Sequence, residues 1–316
     1  MTLFRRSWRV LMGFSAAGLI LAIGILLAVG LTTPDRWYQG VYPGGFIHGT
    51  NHILQPPFPA FSDLDLFSLN VTSQGRHFYL LGSDVGGRDL LALVAHGAVP
   101  SLLLVLLVVA ARLIVGFVAG VAIGLGSGPV KALSRGIGSW VIGFPYLAMA
   151  IVLIEVLTPH GRVMAFVVAM SIVGWRDVAE LVAERIEHVK TQPFSLAAES
   201  LGTEGVRFFG IHVMPFLRPL LTIEVAFQMS AVLVLLAELG YLQVYLGPVL
   251  RLQQANDNSV ALLLQPELGQ MLANTRHDVL YRQWEPVLVP ALAIASLALT
   301  FELLGTALRG RWRVGR

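Results

Sequence analysis

The sequence contains no cysteine, few charged residues and almost no lysine. Without cysteine it can form neither a disulfide scaffold nor a thiolate-based metal or redox site. Only 13% of its 316 residues are charged and 55% are apolar, whereas about a quarter of a soluble domain is charged. Of the 22 basic residues, only Lys131 and Lys190 are lysines. This composition predicts a protein that uses lipid as part of its solvent.

The chain also lacks the motifs of several enzyme classes. It contains no Gly-Lys dipeptide, so the phosphate-binding loop of ATPases and its lysine are absent. Any ATP-driven process must therefore use an ATPase on another polypeptide. No nucleophile–base pair or metal constellation indicates a membrane enzyme, and we expect a non-enzyme. His48, His52, His77, His96 and His160 have no spacing that makes them converge, so we expect no metal site.

Long apolar stretches recur along the chain. A spanning helix needs roughly 20 mainly apolar residues, and residues 10–34 contain no charged side chain. The sequence predicts an all-α polytopic membrane protein with about six transmembrane helices. The expected spans are 10–34, 98–126, 136–158, 163–183, 216–246 and 286–308.

The distribution of basic residues predicts the orientation, because cytoplasmic segments carry an excess of Lys and Arg. With a cytoplasmic N-terminus, 14 basic residues lie on the inner side and seven on the outer side. We therefore expect both termini in the cytoplasm and residues 1–316 as a single transmembrane domain. Its expected parts are a tail with the first span (1–31), an irregular extracytoplasmic segment (32–97) that can end in a short interfacial helix from Asp89, core spans two to six (98–308), a cytoplasmic loop (190–210), a second extracytoplasmic segment (247–285) and a cytoplasmic tail (309–316).

Gly116, Gly120 and Gly124 recur at intervals of four in the second span. Residues at this spacing share one helix face, and glycine lets another backbone approach closely. We expect this face to contact protein rather than lipid, through ordinary helix packing more than through a special dimer interface.

Charged side chains inside the spans are candidates for a polar path. Because charge at bilayer depth costs at least roughly 2.5–3.5 kcal/mol, such groups usually face protein or water. On the fifth span, Glu224, Gln228 and Glu238 fall within about 80° of one another, at 100° per residue. Two interpretations stay open, a translocation path and a structural pairing between helices. We favour pairing for Arg112 and Glu155, and the path for Glu224 and Gln228. The candidate path residues are Glu224, Gln228, Glu238, Arg112 and Glu302.

The segment between the fourth and fifth spans predicts two short helical pieces. Pro193 is typical of a helix start, and Gly202 of the left-handed position that ends a helix. Thr203 can cap the next helix, whose positive end Glu204 favours. Pro215 and Pro219 are expected to break or bend the chain as it enters the fifth span.

The first of these pieces carries two small residues, Ala197 and Ala198. We expect both to be exposed in the cytoplasm, where small side chains permit close docking into a groove of another protein. An ordinary loop between helices explains the same local features equally well.

This segment resembles the "EAA" cytoplasmic loop of bacterial ABC importer permeases. That loop has a Glu-Ala-Ala core, a glycine four residues after the second alanine, and an Ile-x-Leu-Pro sequence further on. The matching residues are Ala197, Ala198, Gly202, Ile211, Met214 and Pro215, with Leu196 in place of the glutamate and Met214 in place of the leucine.

A second resemblance precedes the second span and extends to the end of the chain. Leu81–Asp89, followed by Gly97 and Ser101, is similar to a signature of the dipeptide, oligopeptide and nickel branch, in its second-permease type. The tail is similar too, at Leu268–Leu272 and then at Trp284, Pro290, Phe301, Gly305 and Arg309. The resemblance therefore covers nearly the whole chain from residue 81.

The resemblance implies a type I ABC importer permease fold in the bacterial inner membrane. It implies a homologous second permease, two ABC ATPase subunits that hold ATP and Mg²⁺, an external substrate-binding protein, and no nucleic acid. Peptides are the expected cargo, with nickel complexes, oligosaccharides and other small solutes still open. The implied ATPase-coupling residues are Phe194, Ser195, Leu196, Ala197, Ala198, Glu199, Leu201, Gly202, Thr203, Glu204, Ile211 and Pro215. An ATP-independent secondary transporter or channel is the alternative, although we find no internal repeat of the kind that it would need.

Overall fold

The computed structural model describes residues 2–32, 41–49, 52–67, 75–126, 128–129, 136, 145–200, 205–244, 246, 249–253, 259–263 and 267–314. Long helices dominate these residues. They are α1 (Thr2–Thr32), α2 (Leu90–Leu125), α3 (Tyr146–Leu157), α4 (Arg162–Lys190), α7 (Met214–Tyr241) and α9 (Glu285–Val314). Short helices α5 (Pro193–Ser200) and α6 (Gly205–Phe208) lie between α4 and α7, and α8 (Thr275–Leu280) precedes α9.

Four helical stretches in the described part of the chain are long and apolar enough to cross a membrane. They are Met12–Thr32, Leu90–Leu125, Phe209–Tyr241 and Glu285–Arg311, at the expected first, second, fifth and sixth spans. Helix α3, at the expected third span, is a shorter apolar helix. Helix α4, at the expected fourth, is 29 residues long but carries charges in its second half. The mainly helical, polytopic fold is therefore confirmed.

The chain forms two compact units. The first comprises Met1–Ala16, Val105–Val232 and Phe301–Arg316, and the second comprises Ala17–Leu104 and Leu233–Thr300. Helices α1, α2, α7 and α9 each contribute residues to both units. The candidate site residues fall mainly in the first unit, and both β-sheets belong to the second.

The segment between α1 and α2 is not irregular, and that expectation is wrong. It contains an antiparallel sheet of four strands, β1 (Gly44–Ile47), β2 (Ile53–Leu54), β3 (Ser62–Phe67) and β4 (Gly75–Tyr79), in the order β2-β1-β3-β4. Successive side chains of a strand point to opposite faces of the sheet. Leu64 and Leu66 of β3 point to the same face and are buried. The buried cluster of the sheet contains Tyr42, Phe58, Leu64, Leu66 and Tyr79. A second hairpin pairs β5 (Val249–Gln253) with β6 (Ser259–Leu263), so the fold is not purely α-helical.

A tight turn joins β4 to α2. The Oδ1 of Asp84 accepts hydrogen bonds from the backbone N–H of Gly86 and of Arg88, each at 2.9 Å. The Asp84 carboxylate also pairs with the Arg88 guanidinium. Asp89 then caps α2 by accepting a hydrogen bond from the Leu91 N–H at 2.8 Å. The expected separate interfacial helix from Asp89 is therefore wrong, because α2 runs without interruption from Leu90 to Leu125.

The glycine face of α2 packs directly against α4, as predicted. A Cβ atom added to Gly116 would lie 2.6 Å from the Trp175 carbonyl oxygen, and one added to Gly120 would lie 2.7 Å from that of Ala179. At Gly124 the added atom would lie 2.8 Å from the Ile186 Cβ. These distances leave no space for any side chain. The repeat therefore serves backbone packing within the chain.

The start of the helical segment after the β5–β6 hairpin is fixed by Glu267. Its buried carboxylate accepts hydrogen bonds from the Ser101 hydroxyl at 3.0 Å, from the Gly269 N–H at 2.9 Å and from the Gln270 N–H at 3.0 Å. Burial raises the pKa of Glu267 above its usual range, and these hydrogen bonds oppose that shift. The carboxylate thereby holds the 3₁₀ turn Gln270–Asn274 against α2.

A second buried carboxylate, Asp278, lies at a small cavity with a mixed polar and apolar lining. The cavity has a volume of about 30 Å³, enough for a water molecule, and is lined in part by Asp84, Arg88, Asn274 and Asp278. Asp278 is 2% exposed, and the Nδ1 of His277 lies 3.2 Å from its Oδ1. Burial raises the pKa of Asp278 to about 6, the His277 ring opposes the shift, and the Asp84 charge adds to it.

We predict that Asp278→Asn removes a pH dependence of stability. A carboxyl whose folded-state pKa is raised takes up protons on folding, so its ionisation destabilises the folded state as pH rises from about 4 to about 6. The difference between 3.8 and about 6 sets an upper limit of about 3 kcal/mol on this effect. The melting temperature of the variant should exceed that of the parent most at pH 7.5, and less at pH 5.

Asp63→Asn is the matched control, because the Arg76 side chain lowers the pKa of Asp63 and no titration of that group falls in this pH range. Its melting-temperature difference from the parent should be the same at both pH values. A difference for Asp278→Asn that is equally constant would contradict the assignment.

Candidate functional site

The predicted coupling segment begins as expected. Helix α4 ends at Lys190, and α5 starts at Pro193, where the missing proline N–H leaves no hydrogen bond unmade. The connection is tight, since the Thr191 hydroxyl donates to the His188 carbonyl at 2.8 Å and the Gln192 N–H donates to the Val189 carbonyl at 3.1 Å. The predicted helix end at Gly202, the cap at Thr203, and the neighbours Leu201 and Glu204 lie outside the described residues.

Helix α5 turns one face to its own chain and the other outward. Ser195 is 2% exposed, and its hydroxyl donates to the Val189 carbonyl at 2.6 Å. Ala198 is buried as well, so the expectation that both alanines are exposed is wrong for Ala198. The small size of Ala198 lets α5 pack closely on α4. Ala197 and Phe194 lie on the exposed side. The side chains of Leu196 and Glu199 lie outside the described residues.

Aromatic rings hold α5 against the start of α7. The Phe194 ring stacks on Phe216, with 5.8 Å between centroids, and its centroid lies 6.3 Å from that of His212. The Arg185 guanidinium of α4 lies 5.6 Å from the Phe216 ring centroid, a distance at which a cation attracts the ring face. Three helices therefore meet at Phe216, which the sequence did not single out.

An apolar cluster fills the space beneath α5. It collects residues from the second half of α4, from α5 and α6, and from the start of α7. Its buried members are Val178, Val182, Ile186, Val189, Ala198, Phe208, Val213 and Leu217. Because α5 shares this core, it is attached to the helices on both sides of it rather than hanging as a free loop.

The chain enters α7 through a wide helical turn. Residues Phe209–Val213 form a π-helical turn, and α7 then continues from Met214 through Pro215 and Pro219 to Tyr241. The helix therefore does not break at these prolines, and the expected bend stays a prediction. Pro215 has no N–H to donate to the carbonyl one turn before it, and the wider turn lies at that point. Ile211, which lies in this turn, is 54% exposed.

Three of the predicted path residues lie together in the structure, namely Arg112, Gln228 and Glu224. The Arg112 side chain is 1% exposed. Its Nε donates to the Met170 carbonyl at 2.8 Å, and its Nη1 donates to the Gln228 Oε1 at 3.0 Å. The Gln228 Nε2 in turn donates to the Glu224 Oε1 at 3.0 Å. The amide of Gln228 thus stands between the guanidinium and the carboxylate, and connects α2 to α7.

Two further residues complete the surroundings of Arg112, and neither was predicted. The Tyr146 ring centroid lies 5.7 Å from the Arg112 Cζ. A side chain at Gly174 would collide with the guanidinium, so glycine lets Arg112 lie against the backbone of α4. No sequence pattern indicates a contact with a main-chain carbonyl such as that of Met170.

The other charged candidates lie apart from this cluster. Glu302 and Glu155 are exposed, and Glu238 is exposed in the second unit. Of the histidines considered as metal ligands, His48 pairs with Asp65 at 3.0 Å and His77 pairs with Asp89 at 2.8 Å. Among the described residues, no group of three or more metal-ligating side chains converges.

No protein-family model matches the chain. It is similar to several permease proteins of peptide transport systems. It is 27% identical to the di/tripeptide transport system permease protein DppC of Pseudomonas aeruginosa. The alignment spans 253 residues, which are 80% of this chain and 78% of that protein. It is 27% identical to the peptide transport system permease protein SapC of Escherichia coli, over 74% of this chain and 73% of the other. It is 28% identical to the oligopeptide transport system permease protein OppC of Bacillus subtilis, over 50% and 52%.

We predict that Arg112 and Gln228 stabilise the first unit as a pair. Arg112→Met should cost about 1–3 kcal/mol, because it removes buried hydrogen bonds and leaves the Gln228 oxygen unsatisfied. Gln228→Leu should cost a similar amount, and the double variant less than the sum of the two. Melting temperatures of the purified chain in detergent measure all three. Arg112→Lys should fail to rescue, since an ammonium lacks the planar fork that reaches both acceptors. Strictly additive losses would refute the pairing.

Proposed function

This chain is a permease subunit of the bacterial ABC importers, in the dipeptide, oligopeptide and nickel branch, and we propose that its cargo is peptides. It is a multi-pass transport subunit, and separate ATPase subunits supply the energy. The names of the relatives refer to dipeptides, di/tripeptides and oligopeptides, which supports peptides over nickel complexes or oligosaccharides. A homologous second permease would complete the path, and an external binding protein would deliver the peptide.

The proposed orientation places both termini in the cytoplasm. The excess of basic residues on that side supports it. Helix α5 would then lie on the cytoplasmic side, and the four-stranded sheet on the extracytoplasmic side. No observation favours the alternative of transport without ATP.

Helix α5 would be the coupling helix, the element that docks into an ATPase subunit. Its attachment supports this role, because Ser195, Phe194 and the shared apolar core hold it to α4 and α7. An element fixed in this way can transmit a push to both helices. Its exposed side presents Phe194 and the small Ala197, with Ile211 also exposed nearby in the chain. Leu196, Glu199, Leu201, Gly202, Thr203, Glu204 and Pro215 belong to the same proposed surface.

Coupling would use two states of the permease pair. Closure of the ATPase subunits on ATP would move the coupling helix, and the attached helices would open the path to one side or the other. Such a change is a shift between two arrangements that ATP binding biases. Mg²⁺ and ATP would bind only to the partner subunits.

Glu224 is the best-supported path residue. It is partly exposed, whereas Gln228 and Arg112 are buried. We therefore assign Arg112 and Gln228 to helix pairing and Glu224 to the path, where its carboxylate can attract the amino terminus of a peptide. Glu238 and Glu302 remain candidates on exposed helix surface.

A bulky residue on the exposed side of the coupling helix should prevent docking. We expect Ala197→Trp to abolish co-purification of the ATPase with the permease pair, and with it ATP-driven peptide uptake, because the indole fills the gap into which the partner fits. Ala197→Ser, which is nearly isosteric, should keep both. Full ATPase recovery with Ala197→Trp, at unchanged uptake, would rule out this docking face.

Neutralising Glu224 should weaken transport without unfolding the chain. Glu224→Gln keeps an oxygen that can accept the hydrogen bond from Gln228, so only the charge is lost. We expect peptide uptake by the reconstituted complex to fall by about fivefold or more, the equivalent of about 1 kcal/mol. Glu155→Gln, at an exposed position on α3, is the control. Unchanged uptake and cargo preference in Glu224→Gln would show that this residue does not line the path.

A further inference from the structure

The end of α2 is tied to the end of α4 by one lysine. The last carbonyls of a helix have no partner within it, and Gly124 lies one residue before the end of α2 at Leu125. The Lys190 ammonium donates to the Gly124 carbonyl at 3.0 Å. Lys190 is also the final residue of α4, so its charge lies at the negative ends of both helix dipoles.

The same helix end holds the coupling helix. The Ser195 hydroxyl of α5 donates to the carbonyl of Val189, the residue before Lys190. The Ser195 N–H donates to the Gln192 carbonyl at 3.0 Å. The last turn of α4 therefore contacts α5 through Val189 and α2 through Lys190.

The packing next to this tie leaves α2 little freedom to move separately. Gly120 and Gly124 meet Val182 and Ile186 of α4 at distances that admit no side chain. The Phe117 ring of α2 also lies 6.1 Å from that of Phe209, in the wide turn before α7. Close packing resists compression and sideways sliding, and the Lys190 hydrogen bond adds resistance to separation of the two helix ends.

We propose that Lys190 is the positioning residue that carries movement of the coupling helix into α2. The moving part of the permease then includes α2 with α4 and the start of α7, instead of only the two helices that flank the coupling helix in the chain. This inference rests on the proposed function of α5 and adds a residue outside its docking surface.

The test uses the complete importer, reconstituted in vesicles with its ATPase and binding-protein subunits. Lys190→Met keeps the length of the side chain and removes its donor. We expect peptide transported per ATP hydrolysed to fall by about fivefold, as for loss of one charged hydrogen bond at a partly exposed site, while subunit assembly is unchanged. Lys190→Arg, which retains a donor, should restore most of the ratio. Glu184→Gln, a change at an exposed position on the same helix, should leave it unchanged.

A purely structural lysine would give a different result. Lys190→Met would then lower the amount of assembled complex, ATP hydrolysis and uptake together, with the ratio unchanged, and the proposal would be overturned. An unchanged ratio at normal assembly would overturn it too. If the parental complex itself shows no ATP-dependent uptake, the proposed function fails, and that failure is distinguishable because it appears before any substitution.

Spin labels provide a second measurement, and the absence of cysteine in the chain makes site-specific labelling straightforward. Labels at Val118→Cys on α2 and Glu184→Cys on α4 are both at exposed positions. Their distance should stay the same with and without ATP in the otherwise unchanged protein, and should change on ATP binding once Lys190→Met is added. A distance that already changes before Lys190 is replaced would show that α2 does not move with α4.

Discussion

The close backbone contact between α2 and α4 is the constraint on which the arrangement of the first unit depends. In lipid, apolar side chains gain little from meeting each other, so helices associate through close packing and hydrogen bonds. Gly116 and Gly120 provide the packing. Two hydrogen bonds flank this contact, one from Arg112 to the Met170 carbonyl and one from Lys190 to the carbonyl of Gly124, the last glycine of the face. Both donors are cationic and both acceptors are main-chain oxygens, which lets each tie form without a complementary acidic side chain.

Helix α4 needs this arrangement because its two faces differ in character. Val178, Val182 and Ile186 are fully buried against the core, whereas Asp177, Glu180 and Glu184 are exposed. Glu180 pairs with Arg176 one turn away. Charges on a membrane helix face protein or water rather than hydrocarbon. The exposed face of α4 is thus unsuited to lipid, and the apolar face must be held firmly to α2 for that orientation to persist.

The sequence was sufficient to predict features that repeat or that follow one residue type. Apolar length located the long helices, the four-residue glycine interval predicted the packed face, and Pro193 predicted the start of α5. The resemblance to importer permeases is confirmed by the relatives. Features that depend on one particular neighbour were missed. Whether Ala197 or Ala198 is buried depends on where Val189 and Phe208 lie, and the acceptor of Arg112 is a carbonyl that every residue possesses. The four-stranded sheet was missed although Leu64 and Leu66 alternate with Asp63 and Asp65, because prolines and glycines on either side indicated irregular chain.

The neutral amide of Gln228 separates a buried cation from the carboxylate proposed for the path. Had Arg112 paired directly with Glu224, the attraction between the two charges would have held the carboxylate in place and made it a poor partner for anything else. Gln228 instead satisfies the guanidinium with its oxygen and binds Glu224 only through a neutral N–H. The amide N–H carries no net charge, so this hydrogen bond leaves the charge of the carboxylate uncompensated, and a cationic group would gain an ion pair by replacing it. The guanidinium would keep the Met170 carbonyl and so would still join the helices if Glu224 changed partners.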